Sequence, residues 1–329
     1  MYKGANYMDK FRWGYIGCGG IAFTTAKEVT KTDDNEIYAT WNRTKERAEK
    51  FAKKFKCKVY ENIEDLLSDP NVDGVYIALT ADKHLEYMKK CIEYHKPVLC
   101  EKPFTVNAKQ AKEIFELAQK ENVYVSEAMW TWHNKPALKV KSWINDNKIG
   151  KIEEVICDYR VPITKFVKNT RLLDYNKAGG ALLDIGVYPM RYSLELFGMP
   201  KKIECTGRFS DRVDLGEIVD FYYDDFKIHH DIAMDASFSE YYLITGNQGQ
   251  IKVPNFHFTK KAILIGENKD KIVIKDKLYA KQFSNVAKEI KRGLIKSEYI
   301  KPEMTIACME IMDECRRQMG LVYSNEIID

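Results

Sequence analysis

Phe11-Arg12-Trp13-Gly14-Tyr15-Ile16-Gly17-Cys18-Gly19-Gly20-Ile21-Ala22 runs from a short apolar segment through a glycine-rich turn into the start of a helical pattern. Positions 17, 19 and 22 match G-x-G-x-x-A. Each has a physical task in a strand–turn–helix unit that grips a pyrophosphate. Gly17 permits the tight turn, Gly19 lets backbone amides approach the phosphates, and the small Ala22 lets helix and strand pack closely. The amides of Gly20 and Ile21 stand in the first helical turn, where N–H groups lack an intrahelical partner and the helix dipole favours an anion. The motif is short, and its weight comes from the strand before it and the helix after it.

Outward from this turn, the first third of the chain alternates apolar runs with helical patterns. Strands are predicted at 11–16, 36–41, 72–79, 97–100 and 123–126, and helices at 21–29, 44–55, about 65–67, 83–93 and 107–120. Within 44–55, Ala48, Phe51, Ala52 and Phe55 share one face at helical spacing. The order implies a doubly wound parallel sheet with right-handed crossovers. The pattern changes after about Trp130. A helix at 137–147 with Gly150 as its stop, a strand at 152–161 and a helix at 180–197 precede short β-rich runs over 201–274. Turn signals between those runs point to an antiparallel sheet. Helices at 280–293 and 304–319 close the chain. The expected division is a dinucleotide-binding domain over 1–129 and a second α/β domain over 130–329.

The end of the second strand separates NAD from NADP. A carboxylate there accepts from a ribose 2′-hydroxyl. This chain has Thr40-Trp41-Asn42-Arg43-Thr44, with Lys45 and Arg47 close behind. A guanidinium binds a 2′-phosphate through charge-assisted, often bidentate bonds. Asn42, Arg43 and Thr44 therefore favour NADP(H), with NAD(H) as the alternative.

The 329 residues are 45% apolar, enough for two buried cores. Lys and Arg number 52 against 48 Asp and Glu, and the signs are mixed along the chain, which argues against a nucleic-acid partner. No apolar run is long enough to span a bilayer, and the N-terminus lacks the apolar stretch of a secretory signal. The eight cysteines show neither C-x-x-C nor zinc-ligand spacing, and the six histidines form no recognisable ligand set. Reduced, mostly buried thiols, no bound metal and a cytoplasmic location are the expectation.

Two further stretches carry chemistry. Cys100-Glu101-Lys102-Pro103 follows a buried strand, at the carboxyl ends of the parallel strands where α/β folds place ligands. The proline holds Lys102 in an extended backbone. Ala178-Gly179-Gly180-Ala181-Leu182-Leu183-Asp184-Ile185-Gly186-Val187-Tyr188-Pro189 puts Asp184 and Tyr188 four apart, on one face of a helix that Pro189 can kink.

Taken together, the glycine turn, Val72-Asp73-Gly74-Val75-Tyr76-Ile77-Ala78 leading to His84, Glu101-Lys102-Pro103 and the 179–188 stretch resemble the Gfo/Idh/MocA oxidoreductases. The features run almost end to end. Glu127-Ala128-Met129-Trp130-Thr131 and the tyrosine at 188, where many members carry histidine, are most similar to the trans-1,2-dihydrobenzene-1,2-diol dehydrogenase branch. The resemblance implies that the second domain contains a large open sheet whose outer face makes a homodimer. It adds Thr80, His84 and Glu101 to the cofactor-binding set. It places Lys102, Asp184 and Tyr188 at the nicotinamide and substrate, Arg171 on the substrate side, and Trp130 as an apolar wall. The implied reaction is hydride transfer between NADP(H) and a small hydroxylated substrate. Tyr188 is expected as the acid or base, its pKa lowered by Lys102 and the nicotinamide, with Asp184 orienting the pair and Lys102 as the rival for that role. A sugar or polyol dehydrogenase or reductase and a non-catalytic NADP-binding sensor stay open as alternatives.

Overall fold

The computed structural model describes residues 10–166, 171–258, 260–267, 269–275 and 278–324. The first layer follows the expected alternation. Its elements are β1 (Phe11–Ile16), α1 (Gly20–Val29), β2 (Asn35–Trp41), α2 (Lys45–Phe55), β3 (Lys58–Val59), α3 (Ile63–Ser68), β4 (Gly74–Ile77), α4 (Ala81–Glu93), β5 (Val98–Glu101), α5 (Ala108–Lys120) and β6 (Val125–Ala128). The parallel strands lie in the order β3-β2-β1-β4-β5-β6. Helices cover both faces, so β4, β5 and β6 are buried throughout. The order reverses between β1 and β4, and that switch point opens a crevice at the carboxyl ends of the strands.

The second part begins with α6 (Lys135–Asn145), β7 (Ile152–Arg160), α7 (Ile163–Phe166) and α8 (Val187–Phe197). Then come β8 (Lys202–Ser210), β9 (Val213–Tyr222), β10 (Lys227–Ala233), β11 (Ser239–Gly246), β12 (Gly249–Pro254), β13 (Lys261–Gly266) and β14 (Asp270–Val273). Helices α9 (Ala280–Lys291) and α10 (Pro302–Met319) follow. The eight strands form one open sheet, β14-β13-β12-β11-β7-β10-β9-β8. It is antiparallel except where β10 runs parallel to β7. The inner face packs on α8 and α10, and β11 shows the resulting alternation, with Glu240, Tyr242 and Ile244 buried.

Three features differ from the sequence reading, the first two for local reasons. The 180–197 segment is not one α-helix: Leu182–Gly186 is wound as a π-helix before α8 begins. Pro189 has no N–H for the Ile185 carbonyl four residues back, and its ring crowds that carbonyl, so the regular ladder cannot pass this point. Helix α6 stops at Asn145, before Gly150, because Asn147 already takes φ +54°. Finally, α9 returns to the first sheet, where Phe283 packs 5.2 Å from Trp13 and 4.9 Å from Tyr76 between ring centroids. The break between sheets near residue 129 is therefore crossed again close to the C-terminus.

Candidate active site

A cleft of about 720 Å³ lies over the switch point. Its wall includes Gly17, Cys18, Gly19, Gly20 and Ile21 after β1, Trp41 to Thr44 after β2, and Ala78 to Thr80 after β4. Gly17 has φ +97°, and a Cβ there would meet the Ala78 carbonyl oxygen at 2.6 Å. Nothing lies within 4 Å of a Cβ built on Gly19 or Gly20, so both face open space. Helix α1 has no side-chain N-cap, which leaves its first amides directed at that space. Asn42 Oδ1 accepts the Cys18 N–H at 3.1 Å and ties the glycine turn to the end of β2. Ala22 is fully buried behind the turn.

Arg43, Arg47, Lys83, Arg171 and Lys177 line this cleft, against Asp82 as its one acidic wall residue among those described. The sequence reading singled out Arg43. Lys83, Tyr87 and Lys177 reach the cleft through the fold, and Tyr87 packs against Trp41 with 5.6 Å between ring centroids. Thr80 borders the cleft and is the N-cap residue of α4. His84 and Glu101 lie behind it. His84 is buried, with Nδ1 3.0 Å from the Pro103 carbonyl and Nε2 3.3 Å from that of Leu79. Glu101 receives the Tyr76 hydroxyl. His84 thus bridges the loops after β4 and β5, while Glu101 ties β5 to β4.

Next to Arg171 on the cleft wall, elements of the two sheets meet. Lys102 Nζ donates to the Asp184 carbonyl at 2.5 Å and lies 3.6 Å from Asp184 Oδ1. The same ammonium sits 4.8 Å from the centre of the Tyr188 ring. Arg171 donates to Asp184 Oδ1 at 3.0 Å from the cleft side. Burial raises the Asp184 pKa, but the charges of Lys102 and Arg171 outweigh it and hold the carboxyl below its usual range.

The expected lowering of the Tyr188 pKa is overturned. Its phenol is pushed well above the ordinary value, first by burial and then by the neighbouring Tyr279, Tyr159 and Glu101, against the Trp130 hydrogen bond. Trp130 Nε1 donates to Tyr188 Oη at 3.1 Å, so the hydroxyl is enclosed by an aromatic wall instead of open solvent. Tyr159, Tyr279 and His257 complete the surround. The His257 ring lies 5.1 Å from that of Tyr188, and Tyr279 packs at a tilt 4.8 Å from Trp130. His257 Nδ1 is 2.7 Å from Glu240 Oε1. No motif marked Glu240, His257 or Tyr279, which come from β11, the turn after β12 and the approach to α9. Glu101 is also displaced, its proton held up to about 7 by burial against the opposing pull of Tyr76 and Lys102.

All eight cysteines are free, and seven are buried. No helix among the described residues is long and apolar enough to cross a membrane.

Residues 11–129 match the family described as "Oxidoreductase family, NAD-binding Rossmann fold", GFO_IDH_MocA. Residues 137–252 match the GFO/IDH/MocA C-terminal domain. The trans-1,2-dihydrobenzene-1,2-diol dehydrogenase of Danio rerio is 28% identical over 96% of this chain and 98% of its own length. A D-xylose 1-dehydrogenase (NADP(+)) of Hypocrea jecorina is 34% identical over 55% of this chain and 51% of its own. Among solved structures, a 3-ketoreductase from Actinomadura kijaniata in complex with NADP and TDP-benzene superposes with a TM-score of 0.83 at 23% identity. That match covers 94% of this chain and 98% of the other.

Proposed function

This chain belongs to the GFO/IDH/MocA oxidoreductase family, and from that premise we propose that it interconverts a hydroxyl and a carbonyl carbon on a small diol or sugar-like molecule with NADP(H) as the hydride partner. The observation that carries the reading is the convergence of Lys102, Asp184 and Tyr188 beside a basic cleft that Arg171 lines and joins to Asp184.

The cleft fits the cofactor. The open cradle at Gly19 and Gly20 and the uncapped amides of α1 suit a pyrophosphate. Arg43 and Arg47, with no carboxylate at the end of β2, suit a 2′-phosphate. When bound, the nicotinamide accepts or donates the hydride. The protein's own side chains handle the proton and the substrate oxygen. Tyr188 keeps its hydroxyl proton at neutral pH, which makes it a proton donor to a carbonyl oxygen in the reducing direction. In the oxidising direction the phenolate of the same group, populated as pH rises, takes the proton back. Lys102 is held in place by Asp184 and presents positive charge to the oxygen on which negative charge develops. The walls from buried Trp130 and Tyr159 and half-buried Tyr279 exclude water and strengthen these interactions.

A second copy of this chain is proposed to pair through the outer face of the eight-stranded sheet. Ile156, Ile218, Tyr241 and Leu243 stand there, incompletely covered. Eight unpaired thiols suit a reducing, cytoplasmic setting.

The test follows nicotinamide absorbance with NADP⁺ or NAD⁺ against a panel of vicinal diols, polyols and aldoses. Substrate-dependent reduction of NADP⁺, faster than of NAD⁺, is the expected result. A best substrate among the aldoses would select the sugar-dehydrogenase reading that the xylose dehydrogenase relative favours. Tight NADPH binding without turnover of any panel member would sink the proposal and favour a sensor.

A further inference from the structure

We propose that His257, fixed by Glu240, hydrogen-bonds a second hydroxyl of the substrate beside the carbon that reacts at Tyr188, so that the site prefers vicinal diols and sugars to simple alcohols. The inference rests on the proposed function and adds a specificity-determining residue to it.

The geometry begins with Glu240 on β11, which points into the buried side of the sheet. Its Oε1 accepts the His257 backbone N–H at 3.0 Å and lies 2.7 Å from His257 Nδ1. One oxygen holding two donors of the same residue fixes both the backbone and the ring. It also assigns the tautomer: with the proton on Nδ1, the lone pair is on Nε2. Among the described residues Nε2 has no partner, yet it is not among the sealed, unpaired polar atoms, as His133 Nε2 is. The His257 side chain keeps 11% of its surface, close to the 13% kept by both Lys102 and Asp184. The three side chains therefore meet solvent to the same small degree around one aromatic enclosure. Tyr188 lies 5.1 Å from the His257 ring, Tyr159 4.9 Å and Phe258 3.9 Å. A packed core histidine needs no ionisable partner behind it and no open nitrogen in front. This one has both, and its ring packs against that of the proposed proton donor. Oxygens on adjacent carbons reach two side chains in contact, so one hydroxyl meets Tyr188 while its neighbour donates to Nε2. A monohydroxy substrate leaves that acceptor unmatched in a nearly dry site, which is where missing hydrogen bonds discriminate most strongly.

The experiment has two arms. In the first, kcat/KM is measured for a vicinal diol and for a mono-alcohol of equal size, in the wild type, His257→Phe and Glu240→Gln. The diol-to-mono-alcohol ratio is expected to fall about 10- to 100-fold in His257→Phe, and less in Glu240→Gln. Equal losses on both substrates would mean a packing role and would overturn the proposal, as would an unchanged ratio. In the second arm, imidazole ¹⁵N spectra are recorded on the NADPH-bound wild type with glycerol as the probe. The expected signals are a protonated Nδ1 and a bare Nε2 that shifts on adding glycerol, with the tautomer preference lost in Glu240→Gln. A protonated Nε2, or no response to glycerol, overturns the proposal. Absence of turnover by the wild type would count against the proposed function, and the spectra would still decide the role of His257.

Discussion

Replacing Tyr188 by Phe removes one oxygen and leaves the ring, so its consequences separate cleanly. The hydroxyl accepts from Trp130 Nε1 at 3.1 Å in a buried setting. Deleting it strands that N–H, at a cost of about 1–3 kcal/mol in stability. The Lys102 contact is with the ring, at 4.8 Å from its centre, and survives the substitution. The glycine cradle and Arg43 are untouched, so NADPH affinity should change little. A positioned proton donor is worth about 10²–10⁴-fold in rate, or about 3–5 kcal/mol of barrier. Turnover should therefore fall by more than stability loss can account for. The assay combines steady-state turnover, NADPH titration by fluorescence and thermal unfolding on the same preparations. The wild type adds a pH signature. Burial raises the phenol's pKa, so its protonated form persists above the usual tyrosine range. Reduction should stay level as pH rises through 9, and oxidation should keep climbing. A Tyr188→Phe enzyme within about threefold of wild-type turnover, or one whose loss is matched by an equal loss of NADPH affinity, would refute the assignment.

Arg43→Ala should lower the preference for NADP over NAD by about 10- to 100-fold in kcat/KM, the worth of one charge-assisted contact; an unchanged ratio would transfer the 2′-phosphate to Arg47. Gly17→Ala places a Cβ 2.6 Å from the Ala78 oxygen at φ +97°, so isothermal titration should show NADPH binding lost together with about 1–3 kcal/mol of stability. Glu101 titrates near 7, above the value of the unfolded chain; the folded state then holds a proton the unfolded state has released, and stability falls as pH climbs from about 4.5 to 7, by about 3 kcal/mol. Denaturation of Glu101→Gln over that range should show the slope flattened, and an equal slope in both proteins would assign it elsewhere. Leu243→Asp on the outer sheet face should convert a dimer to a monomer in light scattering, whereas a monomeric wild type would refute the pairing.

The first sheet was legible because parallel strands covered on both faces leave continuous apolar runs, as at Val75–Leu79, and because a glycine turn between strand and helix has few other uses. The two-residue strand β3, Lys58–Val59, leaves no such run. The parallel pairing of β10 with β7 was equally invisible, since register between distant strands has no local signature. The same distinction divides the site. Lys102, Asp184 and Tyr188 sit in short motifs and were named from them. Glu240 and His257 are 17 residues apart and meet only because β11 and β12 pair antiparallel. The pKa direction of Tyr188 failed for a related reason: the cation beside it could be inferred, but the depth of aromatic cover from Trp130, Tyr159 and Tyr279 depends on three-dimensional packing.

That cover explains how residues from two different sheets act as one site. Lys102 ends a strand of the first sheet, and Asp184 belongs to the π-turn that leads into α8 against the second. The bond from Lys102 Nζ to the Asp184 carbonyl crosses between them. An α-helix in register would have satisfied that carbonyl internally; the irregular winding that Pro189 imposes keeps it available to an outside donor. Pro189, which kinks the helix carrying Asp184 and Tyr188, is thus part of what lets Lys102 be held at all. Phe283 on α9, packed between Trp13 and Tyr76, fastens the second part of the chain back onto the first sheet and fixes the distance across which that bond must reach.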